Sequence, residues 1–130
     1  MTIQADVIFC DDVRSEANGK LIIIGMYQND ILLNRASGAI ALSIWVRLSS
    51  DEIGEFKNWL KVSLNGKELH SIEGTYSPES SKPENAFVLG LPIEIEGSGD
   101  LVVDIAFEDG RVINAGSIPI VCNSDAVSDN

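Results

Sequence analysis

The stretch CDDVRSE, residues 10–16, places two aspartates, an arginine and a glutamate within a few residues of one another. Paired carboxylates are common equipment for general acid–base chemistry, but one of them must hold its proton near neutral pH. Here Arg14 stands between Asp12 and Glu16, and a neighbouring guanidinium favours the ionised carboxylate. In an extended chain alternate side chains share a face, so Asp12, Arg14 and Glu16 point the same way. A guanidinium can donate to both neighbours. The pattern therefore predicts a structural clamp of Asp11, Asp12, Arg14 and Glu16 rather than catalytic residues, and a protein that is not an enzyme. Other nucleophilic chemistry lacks its parts. There is no GxSxG elbow, His70 is the only histidine, and Cys10 and Cys122 belong to no CxxC pair, so the usual zinc sites are missing.

Two further constellations could bind rather than react. Acidic residues near predicted strand ends include Asp11, Asp12, Asp51, Glu52 and Asp109. In an antiparallel sandwich alternate connections share one pole, where C2-like domains hold Ca²⁺ with oxygen ligands. No DxDxDG spacing is present, so a loop-pole binder of Ca²⁺ or carbohydrate is the alternative reading and not the first. The second constellation is aromatic. Trp45 alternates with Arg47, and Trp59 lies between Lys57 and Lys61. A hairpin at 51–54 pairing Leu48 with Phe56 would set Trp45 opposite Trp59. His70 and Ile72 would then join the same face. Such a patch would be a partner surface made of Trp45, Arg47, Lys57, Trp59, Lys61, His70 and Ile72.

These residues must be positioned by strands, because helical periodicity is nearly absent. Ile3, Ala5, Val7 and Phe9 alternate with their neighbours, as do Ile40, Leu42, Ile44, Val46 and Leu48. Leu21 to Ile24 is an unbroken apolar run, which predicts a strand covered on both faces. Further strands are expected around Phe56–Leu64, Leu69, Phe87–Ile95, Leu101–Phe107 and Val112–Val121, with Pro92 and Pro119 suited to edges. Asn18-Gly19, Asn65-Gly66 and Asp109-Gly110 each precede Lys or Arg and predict two-residue type I′ hairpins. The first would place Glu16 opposite Leu21 and Arg14 opposite Ile23. The segment 31–39 is open between loop, edge strand and helical turn, and 75–85 reads as a long polar loop. Eight such strands predict a single antiparallel β-sandwich, immunoglobulin-like or C2-like, with a partly open barrel as the alternative. The domain would span 1–122, followed by a flexible acidic tail at 123–130.

At 130 residues and a formal net charge of −11, the chain is large enough for one core and strongly acidic. That sign disfavours nucleic acid and anionic membrane surfaces. No apolar run is long enough to span a bilayer, and no signal-peptide pattern opens the chain, so a cytoplasmic location with reduced thiols in the core is expected.

The stretch CDDVRSEANGKLIIIGMY resembles the opening of a family of small bacterial proteins known only as a domain of unknown function. Its pattern is an apolar residue followed by CDDVR-x-E-x-x-GK-x-x-x-IG-x-Y, and Cys10 to Arg14, Glu16, Gly19, Lys20, Ile24, Gly25 and Tyr27 fit it. The later LPIEIEGSGDLVVDIAFEDGR is similar to that family's closing hairpin more loosely. The resemblance covers about the first 27 residues clearly. It implies a β-rich single domain of bacterial or phage origin and supplies no activity or binding residues. The functional expectation is a non-enzymatic protein-interaction or assembly module, without cofactor, that binds a protein partner or self-associates.

Overall fold

In a computed structural model, residues 3–78 and 83–123 are described. They form ten strands: β1 (Ile3–Cys10), β2 (Asp12–Ser15), β3 (Leu21–Ile24), β4 (Ile31–Leu33), β5 (Gly38–Ser50), β6 (Phe56–Leu64), β7 (Lys67–Tyr76), β8 (Glu84–Ile95), β9 (Gly99–Phe107) and β10 (Val112–Cys122). No helix occurs among the described residues, so the protein is all-β as the alternation predicts. The strands make three sheets, ordered β1-β5-β8, β4-β10-β9-β6-β7 and β2-β3. One of the sheets curls into a half-barrel. The tail expected over 123–130 falls outside the described residues from 124 onward.

Alternation builds the covered faces. On β5, Leu42, Ile44, Val46 and Leu48 are buried, and on β6 and β9 Leu60, Val62, Leu64, Leu101, Val103, Ile105 and Phe107 are buried too. A strand residue points to the face opposite its neighbour's, so one face per strand receives these side chains. The chain divides into two compact units. The first comprises Met1–Val7, Val46–Ala86 and Leu101–Ser117, the second Ile8–Trp45, Phe87–Asp100 and Ile118–Asn130.

Several expectations are corrected. Ten strands replace eight, because CDDVRS and the segment 31–33 each contribute a short strand of their own. Pairing is not wholly antiparallel, since β4 runs parallel to β10 with Ile31 beside Ile120 and Leu33 beside Cys122. Pro92 lies on β8, at a sheet edge. Pro119 lies on β10, which has neighbours on both sides, but the β4 pairing begins one residue later, at Ile120. Its missing N–H therefore costs no bond to β4.

Only one of the three glycine turns is a two-residue hairpin. Asn65 and Gly66 have φ of 52° and 82°, and Leu64 pairs with Lys67. At 16–20 the loop holds three residues: the Glu16 N–H donates to the Lys20 carbonyl at 2.8 Å and the Gly19 N–H to the Glu16 carbonyl at 3.0 Å. Residues 107–111 repeat that arrangement, with bonds of 2.8 and 2.9 Å. In both, only the glycine takes the left-handed conformation, at 86° and 96°. A turn of this kind adds one residue to the loop and moves the register by one. Arg14 therefore faces Ile22, and Ser15 faces Leu21.

Candidate interaction surfaces

The opening motif divides into an inner and an outer half. Asp11 is the inner anchor. Its N–H donates to the carbonyls of Ile24 and Gly25 at 3.0 and 3.2 Å. The Tyr27 hydroxyl donates to its carboxylate at 3.1 Å, and the Ser43 hydroxyl donates to its carbonyl at 3.0 Å. Ser43, 1% exposed, also accepts from the Gly90 N–H at 3.2 Å, while its carbonyl accepts from the Cys10 thiol at 3.6 Å. One buried hydroxyl thus ties segments of β5 and β8 to the end of β1, and a buried polar group so fully bonded is a structural device. Burial, reinforced by the Asp11 charge, raises the pKa of the Cys10 thiol. Burial and the hydrogen bond to Asp11 do the same to the Tyr27 phenol. Cys10 and Cys122 are both free thiols, the first buried and the second only half-buried, so Cys122 is not the core residue expected.

Asp12 and Arg14 form the outer half. One Asp12 oxygen accepts from the Val13 N–H at 2.9 Å and the other from Arg14 Nε at 3.0 Å. The Arg14 side chain is 69% exposed, so this pair is a surface salt bridge contributing about 0–1 kcal/mol. Glu16 acts through its backbone, closing the loop. The four-residue clamp therefore reduces to Asp11 as anchor and a solvent-exposed Asp12–Arg14 pair.

What surrounds that pair is apolar. On the two-stranded β2-β3 sheet, Arg14 is directly opposite Ile22 and Asp12 opposite Ile24. Opposite residues share a face, so the four side chains are neighbours. Ile22 and Ile24 are 41% and 39% exposed, whereas Val13, pointing the other way, is 2% exposed. The run LIII is thus covered on one face only, which corrects the expectation of burial on both.

The first unit assembles a different surface. Arg111 pairs with Asp109 at 2.6 Å and with Glu52 at 3.0 Å. Its guanidinium carbon lies 5.7 Å from the ring centroids of Phe56 and of Phe107, which meet edge to face at 6.4 Å. Hydrogen bonding to Arg111 holds the Asp109 carboxyl below its ordinary value and raises Arg111 in turn. A pocket of about 280 Å³ opens beside this cluster, lined by Glu55, Phe56, Lys57, Phe107, Glu108 and Asp109. Tyr76, opposite Phe56 on β7 and 1% exposed, has a hydroxyl without a hydrogen-bond partner among the described residues.

The expected tryptophan patch is not built as foreseen. Trp45 stands on β5 and Trp59 on β6, strands of different sheets, so the hairpin that was to pair them does not form. Trp59 instead faces Glu73 on one side and Ala106 on the other. Lys57 reaches Glu73 at 2.9 Å and lies 5.6 Å from the Trp59 ring, and Lys61 pairs with Glu68 at 3.1 Å. Ile72 and His70 are opposite Leu60 and Val62, on the face away from Trp59. Arg47 is exposed on β5.

The proposed calcium residues fall into two sets. Asp11 and Asp12 belong to the second unit; Asp51, Glu52 and Asp109 belong to the first. Among the described residues no group of three or more His, Cys, Asp or Glu is placed to hold a metal ion. Glu52 and Asp109 share the Arg111 guanidinium, which supplies the positive charge there. Sequence reasoning missed Arg111 and Ser43. The first looked like a turn residue and the second like a polar neighbour on an alternating strand; no local signal marks either.

No protein-family model matches the chain, and no curated protein matches it.

Proposed function

We propose that the chain is a β-sandwich, of immunoglobulin-like or C2-like kind, that serves as a non-enzymatic protein-interaction module. The partner contact is the outer face of the β2-β3 ribbon. The observation that carries this reading is the quartet of Arg14, Asp12, Ile22 and Ile24, where two exposed isoleucines flank an exposed arginine. Arginine beside apolar side chains is the composition of protein-binding surfaces, and a surface ion pair this exposed adds little stability. Both long edges of the two-stranded sheet lack a neighbouring strand among the described residues, and an unpaired edge accepts a further strand.

A photo-crosslinking side chain at position 22, compared with one at Ile53 of the first unit, which is more exposed still (79% against 41%), tests this. The reading expects a discrete adduct, with a partner or a second copy, at 22 and none at 53. It also expects the adduct to vanish when Arg14→Ala accompanies the crosslinker. Equal labelling at both positions, or none at 22 in cells, overturns it.

A further inference from the structure

We propose that the pocket beside Phe56 and Phe107 is a binding site for an organic cation carrying an alkyl stem, an ammonium or guanidinium group. The site lies in the first unit and is independent of the ribbon reading. Its wall includes two phenyl rings in edge-to-face contact, and its rim adds the carboxylates of Glu55, Glu108 and Asp109. The positive groups nearby are already committed. Lys57 is paired with Glu73, and Arg111 with Glu52 and Asp109. Asp109 is thus already neutralised, but an anion would enter against the charges of Glu55 and Glu108, which have no ion-pair partner among the described residues, whereas a cation would relieve them. An apolar stem suits the rings, and a charged head suits the rim.

The protein demonstrates the required geometry with its own side chain. Arg111 stacks over both rings at 5.7 Å while a carboxylate oxygen holds each side of its fork. The pocket of about 280 Å³ lies just below the volume usual for drug-sized ligands, about 300–1,000 Å³, and suits one butyl-ammonium-sized group. The same chemistry could come from a free polyamine or from a lysine or arginine side chain on a partner.

Titration of the isotope-labelled full chain, followed by amide and aromatic-ring NMR, is the test. n-Butylamine and agmatine are expected to shift residues 55–57 and 107–109 with saturation, while n-butanol binds about tenfold or more weakly. Glu108→Gln and Glu55→Gln, both at exposed positions, are expected to weaken the amines several-fold and leave n-butanol unchanged. Tighter saturation by spermidine assigns a free polyamine, and tighter saturation by a capped Gly-Arg-Gly peptide assigns a partner side chain. Equal binding of butanol and butylamine overturns the proposal. So do shifts spread over the acidic surface as with potassium chloride alone, or no saturable shift from any amine.

Discussion

The two units treat their surfaces in opposite ways. In the first, Arg111, Lys57 and Lys61 each meet a carboxylate, and Arg111 and Lys57 also cover aromatic rings. These three cations are matched within the unit, and among the described residues little large apolar surface is left there, chiefly Ile53 and Val112. In the second, the described residues leave Ile22, Ile24, Met26, Leu32, Phe87, Leu89 and Val121 exposed, and the Asp12–Arg14 ion pair lies on its surface. Scattered apolar side chains are ordinary on a protein surface; paired on an open two-stranded ribbon beside an arginine, they suit a contact. On the proposed reading the second unit presents an apolar face that a partner would cover, whereas the first ties Arg111, Lys57 and Lys61 to its own carboxylates.

Substitutions can break or sharpen this contrast, beginning with the largest expected effects. Ile44→Ala, at a residue with no exposure, should cost about 2–5 kcal/mol by chemical denaturation, and an effect below about 1 kcal/mol would deny that β5 carries a packed face. Ser43→Ala should cost about 1–3 kcal/mol, because the Gly90 N–H loses its acceptor and the Asp11 carbonyl its donor. Gly25→Ala should destabilise by about 1 kcal/mol or more, measured the same way. Gly25 has φ of 68°, and a methyl group there would fall on the Asp11 carboxylate. By contrast, Ile22→Ser with Ile24→Ser should move stability by only about 0.5 kcal/mol, and Ile24→Ser alone should abolish the crosslink from position 22. If that pair unfolds the protein, the isoleucines are core residues and the contrast between the units fails.

Titration should separate the units more gently. Asp109 has a lowered pKa, so its pairing with Arg111 stabilises above the ordinary aspartate range and is lost as pH falls through the depressed value. Arg111→Met should remove that acid-side loss without altering the ribbon. The thiol of Cys10 and the phenol of Tyr27 have raised values. Their contribution is fully present below the unfolded-state values and is lost as pH rises through the raised ones. At neutral pH iodoacetamide should modify half-buried Cys122 in the native protein and Cys10 only after unfolding, as mass spectrometry would show.

Strand pairing explains what was legible. Period-two alternation reveals a covered face wherever one exists, so β1, β5, β6 and β9 could be read from their apolar residues alone. Turn position was also visible in Asn-Gly and Asp-Gly. Turn length was not, because Asn18-Gly19 and Asn65-Gly66 share their letters yet close loops of three and two residues. That single-residue difference decides which side chain faces Arg14. The tryptophan patch failed for a related reason. Sequence adjacency suggested a β5-β6 hairpin, whereas β6 pairs with β9 and β7.

The sequence by itself determined an all-β chain, the places where it turns, and the residues able to fill a core, since each follows from local geometry and side-chain chemistry. Only the tertiary structure decided which strands became neighbours. That choice set Ser43 beneath Asp11, stacked Arg111 on Phe56 and Phe107, and left Ile22 and Ile24 outside. The physical reason is that β pairing is non-local: a strand's own residues say which face wants cover, but its partner supplies the cover, and one step of register exchanges the two faces. CDDVRSE illustrates both halves. Its charges were plain from the letters; that Asp11 anchors the fold while Arg14 stands free enough to meet something else depended on where β3 and β5 came to lie.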